Sequence, residues 1–230
     1  MIGVLVNTAT VIIGSLIGLL FKKSISRRFT DAIMLGIGLC TIYIGISGAL
    51  EGENTLILIL SIVLGAAMGT GLDMDKRIND LGDWIEKRFK KADGNSVSVA
   101  EGFVTASLLF CIGAMTIVGS LNAGLTGDNE MLFTKSLLDL ISSLILSVSL
   151  GVGVMFAAAF VFAFQGSIVL LAQSLQPILT DSAIAEITCA GSLLILALGL
   201  NLIGLTKIKV ANYLPAIVVA PLLSWLFTQF

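Results

Sequence analysis

Leu19-Leu20-Phe21-Lys22-Lys23-Ser24-Ile25-Ser26-Arg27-Arg28 is where the first apolar run stops and positive charge begins. Two further islands repeat the pattern: Lys76/Arg77/Lys87/Arg88/Lys90/Lys91, and Lys207/Lys209. Every Lys and Arg except Lys135 lies in one of the three. Positive charge in short loops marks the cytoplasmic side of a membrane protein. The number of apolar runs between islands therefore sets the topology.

Apolar residues make up 57% of the 230-residue chain and charged residues 12%, with a mean hydropathy of +1.04. A soluble domain carries about 25% charged residues. This chain cannot coat a globule with charge, so its solvent is lipid. Acidic residues are interleaved with the basic ones and the net charge is −2, so nothing points to nucleic acid and none is expected as a partner. His is absent, removing the commonest metal ligand and neutral-pH base. Cys40, Cys111 and Cys189 fall in three different apolar runs and read as small packed residues. No catalytic constellation emerges, so an enzyme is not expected, and no cofactor is implied.

A membrane helix needs about 20 apolar residues. Eight segments fit: 2–21, 32–50, 56–72, 103–121, 136–151, 153–173, 183–205 and 210–228. The first reads as a membrane helix rather than a cleavable signal peptide, because its positive charge follows the apolar run. Two spans separate the first island from the second, and four separate the second from the third. Both counts are even. The expectation is a multi-pass protein of a bacterial inner membrane, with basic loops in the cytoplasm and both termini outside. The turn at Gly151-Val152-Gly153 carries no charge, which suggests a helical hairpin buried in protein, where irregular backbone is tolerated at membrane depth.

Residues 73–101 form a polar linker. Met74, Ile78, Leu81, Ile85 and Phe89 recur at helical spacing, predicting an amphipathic helix at the cytoplasmic face, with Trp84 suited to the interface. The linker separates half 1–72 from a central hairpin region, 102–152, and a second half, 153–230. The halves share anchors in the same order. Gly14-Ser15 precedes Thr30-Asp31, as Gly166-Ser167 precedes Thr180-Asp181. Gly48 parallels Gly199, and Asn54 parallels Asn212. By the island count the two triplets run in opposite directions. An all-α polytopic fold with an inverted-topology repeat, spans one to three against six to eight, is the expected architecture. Such repeats are a recurring plan of secondary transporters.

Candidate binding residues lie in the centre. Gly113 and Gly119 bracket Ala114, Met115 and Thr116, with Ser120 and Asn122 beyond. Here the helix is expected to break and offer backbone groups to a solute or ion; close packing of small residues is the competing explanation. Asp139, Ser143, Ser147 and Gly151 form a stripe at i, i+4 spacing. A charge at the bilayer centre costs about 2.5–3.5 kcal/mol on insertion scales, so Asp139 faces protein or water. It either couples a cation or pairs with Lys135 at i, i+4 near the interface. Glu186 and Asp31 carry less weight, near span ends. Gln165 and Ser167 are further candidate ligands. Asn7 and Asn201 read as interhelical hydrogen-bond partners.

Several of these stretches resemble one family. They are Gly113-Ala-Met-Thr-Ile-Val-Gly-Ser120, Gly124-Leu-Thr-Gly-Asp128, Lys135-Ser-Leu-Leu-Asp139, Gln165-Gly166-Ser167, Lys209-Val-Ala-Asn-Tyr-Leu-Pro215, and the opening Gly3-Val-Leu-Val-Asn7 with Ile13-Gly14-Ser15. The family is domain of unknown function 554, the YqgA/YdfK-like bacterial inner-membrane proteins. The resemblance spans essentially the whole chain. It implies a polytopic bacterial membrane protein with a transporter role, and no functional residue can be carried over. The leading expectation is a secondary transporter of a small solute or ion by alternating access, with Na+ or H+ as candidate coupling cation. The alternatives are a passive channel and a non-transporting scaffold. The lipid bilayer, the solute and a second copy of the chain are the expected partners.

Overall fold

A computed structural model describes residues 1–22, 27–89 and 98–227, and these are helical with no strand among them. The helices are α1 (Ile2–Lys22), α2 (Arg27–Ala49), α3 (Thr55–Gly71), α4 (Met74–Phe89), α5 (Val99–Cys111), α6 (Ala114–Leu125), α7 (Glu130–Leu150), α8 (Gly153–Leu170), α9 (Ala172–Leu175), α10 (Asp181–Leu202) and α11 (Ala216–Phe227). A short 3-10 turn, Val210–Tyr213, precedes α11. Lys23, Lys90, Lys91 and the end of the last predicted span lie outside the described residues.

Six segments are long and apolar enough to cross a membrane: α1, residues 31–49 of α2, α7, α8, α10 and residues 210–227. The bent pairs α3/α4 and α5/α6 raise the number to eight. α3 alone is about 26 Å long, and the chain turns by 55° into the polar α4. Exposed apolar side chains such as Leu39, Tyr43, Val63 and Leu137 line the outside of the bundle. Lipid there replaces water, so this exposure carries no hydrophobic penalty.

Glycine faces set the helix pairing. Helices in lipid associate through close packing, which small residues permit. On α1, Cβ atoms on Gly3, Gly14 and Gly18 would strike Leu132, Leu140/Ser143 and Leu144/Ser147 of α7. Both series ascend, so α1 and α7 run parallel. On α2, Gly38 meets Ile203, Gly45 meets Leu196 and Gly48 meets Ser192. The order is reversed, so α2 and α10 run antiparallel. Gly65 and Gly69 of α3 meet Ala216 and Asn212 in the same reversed sense.

These relations place both ends of every element. One face of the bundle carries Met1, the 51–54 loop and Asn129. The other carries Lys22, the 151–153 turn, α4 and the 203–209 loop. Among the described residues, every Lys and Arg except Lys135 belongs to an element or end at this second face. The 151–153 turn is buried: Gly151 has φ 76°, and Gly153 abuts the backbone of Val99 and Phe103.

Two segments differ from the sequence reading. α7 begins at Glu130, not near 136, so Lys135 lies inside a span rather than beside it. The span read as 103–121 is α5 and α6, bent by 61°. It starts earlier because Ser98 caps α5, its side chain accepting from the Glu101 amide.

Candidate functional site

The break between α5 and α6 is built from Ile112 and Gly113. Gly113 has φ 142° and no atom within 4 Å of the position a Cβ would take; that backbone region belongs to glycine. Ile112 packs on Gly191, midway along α10, so the break lies at mid-bundle. The carbonyl end of α5 and the amide end of α6, each with backbone groups lacking a helical partner, meet there. The Thr116 hydroxyl donates to the Phe110 carbonyl at 3.0 Å. That bond ties the break together and commits the Thr116 side chain to a structural role. Ala114 and Met115 open α6, and Met115 is exposed.

Beside the break lies a buried ion pair. Lys135 Nζ is 2.6 Å from Asp139 Oδ2, and both residues are buried within α7. The same oxygen accepts from Asn7 Nδ2 of α1 at 3.0 Å. The i, i+4 pairing read from sequence is present, and both partners are buried in the protein interior. Cys111, the last residue of α5, is within electrostatic reach of both charges. A buried pair needs further hydrogen bonds to offset desolvation, and Asn7 supplies one.

Apolar clusters above and below this pair define a layer. Towards the Met1 face, Val4, Ala123, Leu132 and Val169 form one cluster. Towards the basic face, Val11, Phe110, Cys111, Leu146 and Val161 belong to another. A third, with Ile117, Leu121 and Ile168, closes the side between α6 and α8. Val4 shares a cluster with Val169, and Val11 shares one with Val154, Ala157, Ala158 and Val161, so α1 and α8 run antiparallel and Asn7 and Gln165 both lie between the two clusters. Ser120 lies one turn from Ala123, and Asp139 lies between Leu132 and Leu146. The polar residues Asn7, Ser120, Asp139 and Gln165 thus fall where three apolar clusters fail to merge.

Several polar atoms of this layer have no protein partner: Asn7 Oδ1, Ser120 Oγ, and both Gln165 Nε2 and Oε1. All three residues are fully buried. Each such atom costs about 1–3 kcal/mol unless something bonds to it.

The other candidates fall outside the layer. Ser143 and Ser147 face Gly14 and Gly18, so that half of the α7 stripe is a helix-packing seam. The Ser143 hydroxyl donates to the Leu140 carbonyl. Ser167 is exposed and donates to the Phe164 carbonyl at 2.7 Å. Gly119 packs against Met131 and Leu132, letting α6 approach α7. Asn122 is half-buried, and its carbonyl receives the Thr126 amide and hydroxyl.

Two amides serve the backbone. Asn201 accepts from Thr206 and Ile208 and donates to the Ile208 carbonyl, clamping the loop after α10. Asn212 accepts from the Asp75 amide at the start of α4. Glu186 is almost wholly buried, and one carboxylate oxygen accepts from the Glu53 and Asn54 amides at 2.9 and 2.7 Å. At the basic face, a cavity of about 360 Å³ opens between α4, α5 and the 204–211 segment, with Asp75, Asn79, Glu101 and Lys207 among its lining.

Six to eight apolar segments around a buried polar layer define a polytopic helical membrane protein. The family described as "Protein of unknown function (DUF554)" matches residues 2–225, and the chain belongs to it. It is 35% identical to "Uncharacterized membrane protein YdfK" of Bacillus subtilis (strain 168), over all of this chain and 98% of that protein. It is 29% identical to "Uncharacterized protein YqgA" of Escherichia coli (strain K12), over 99% of this chain and 97% of that protein. No solved structure matches the chain.

Proposed function

We propose that this protein is a secondary transporter of a small solute by alternating access, seated in a bacterial inner membrane with its basic face in the cytoplasm. The observation that carries the reading is the polar layer of Asn7, Ser120, Asp139 and Gln165, with its unpartnered atoms, enclosed between apolar clusters. A site closed towards both faces is the intermediate that alternating access requires, whereas a passive channel needs a continuous path. The break at Gly113 gives α6 a hinge beside this layer.

The helix pairing supports the two-fold part of the proposal. Under an inverted repeat, α1, α2 and α3 correspond to α8, α10 and α11, and each packs antiparallel on its counterpart. Halves related this way can exchange conformations and so open one site to either side. H+ or Na+ remains the candidate coupling cation. No enzymatic step is proposed.

Purified protein in liposomes, screened for solute uptake under Na+, H+ and no gradient, tests the reading. Saturable, gradient-driven uptake that drops at least about tenfold, some 1.4 kcal/mol, in Asp139→Asn and Ser120→Ala is expected. Flux that does not saturate would make the protein a channel. Uptake absent under every gradient, with both variants matching wild type in cells, would leave a scaffold.

A further inference from the structure

We propose that the polar layer binds a small uncharged molecule that both donates and accepts hydrogen bonds, in the manner of a simple amide. The inference rests on the transport reading above and narrows its substrate class. Three observations lead to it.

The charges in the layer already cancel. Asp139 Oδ2 is engaged by the Lys135 ammonium and by Asn7 Nδ2. An added cation or anion would leave one buried charge without a counter-charge, which a low-dielectric interior strongly disfavours. An uncharged guest disturbs nothing.

The unpartnered atoms are neutral and of both kinds. Gln165 offers an amide donor and a carbonyl acceptor, Asn7 a carbonyl acceptor, and Ser120 a hydroxyl that can do either. Gln165 is the least explained by structure alone: it is fully buried and neither end of its amide has a partner. A primary amide or small polyol would pair with such a set.

The layer is shallow. Val4 and Val11 are two turns apart on α1, and Val161 and Val169 slightly more on α8, so the seals are separated by about 10–12 Å at the backbone. Their side chains fill part of that distance. That spacing limits any guest to a few heavy atoms.

Acetamide, acetate and acetamidinium have one shape and three charges, and serve as probes. In detergent, acetamide is expected to raise Tm by about 3 °C or more, and either ion by under about 1 °C. Gln165→Leu removes an unpaired amide at nearly constant volume, so its ligand-free Tm should rise by about 2–4 °C while the acetamide shift disappears. In proteoliposomes, acetamide uptake should saturate and exceed that of either ion at least tenfold. A larger Tm shift with acetate, acetamidinium or Na+ than with acetamide overturns the proposal. So does no shift with any probe together with a Gln165→Leu protein that melts lower, because the amide is then satisfied within the fold. Binding of acetamide without its uptake supports this inference and sinks transport. Gradient-driven uptake of a charged solute, with acetamide inert, does the reverse.

Discussion

The α1–α7 and α2–α10 seams are made of the same material and do different things. Both bring helices into contact through glycines, and both bury a carboxylate about one and a half to two and a half turns from the Met1 face. In the α2–α10 seam, one oxygen of Glu186 reaches the 51–54 loop and holds two consecutive backbone amides, while its other oxygen and the Thr188 hydroxyl are buried without a partner. That acid closes the entrance to α3 and reads as a clamp. In the α1–α7 seam, Asp139 is held by Lys135 and Asn7, and the polar groups beside it are left open. Burial alone therefore does not mark a functional acid in this protein. The two acids differ in what holds them: backbone amides of one loop for Glu186, a lysine and a side-chain amide on two different helices for Asp139.

The contrast can be broken most forcefully at Asp139. Asp139→Leu strands the Lys135 ammonium in the interior, and a loss of about 3–5 kcal/mol is expected, read as a large fall in Tm or failure to purify as a monodisperse species. The double variant Lys135→Met/Asp139→Leu should recover most of that stability, since apolar replacements of buried pairs are often tolerated, yet stay inactive in uptake. A double variant with full uptake would make the pair purely structural.

Overpacking comes next. Gly14→Val drives a side chain into the Leu140 carbonyl and Ser143 hydroxyl, at an expected cost of about 1–3 kcal/mol. Gly36→Val on α2, where no atom lies within 4 Å of the new Cβ, should stay within about 0.5 kcal/mol. Equal Tm values for the two would contradict the parallel seam.

The smallest expected effect is at the clamp. Glu186→Gln keeps an acceptor for the Glu53 and Asn54 amides and gives up only the charge, so about 1 kcal/mol is lost and uptake persists. Abolished uptake with unchanged Tm would move Glu186 from clamp to site.

The spans were legible because lipid demands long apolar runs, and the even island counts gave the relative directions that the glycine contacts display. The start of α7 was not. Glu130 and Lys135 resemble loop charges to any hydropathy average, and only the fold shows that Lys135 turns inward onto Asp139. The Gly113 break was readable from its flanking small residues, although Thr116 proved to brace it. The i, i+4 stripe on α7 was visible but ambiguous, because serines facing a glycine seam and serines facing a solute have the same spacing. Asn7 and Gln165 lie more than 150 residues apart in sequence. Each looks like an isolated amide until antiparallel packing of α1 on α8 places both between the same two clusters.

The central claim is that one polar layer is reached in turn from both sides of the membrane. Ser120→Cys, in a protein with Cys40, Cys111 and Cys189 replaced by Ala, tests it most directly. The layer is probed with a membrane-impermeant thiol reagent on right-side-out and on inverted membrane vesicles. Labelling is expected in both preparations, slowed in each by acetamide. Labelling from one side only, or from neither in a folded protein, would contradict it.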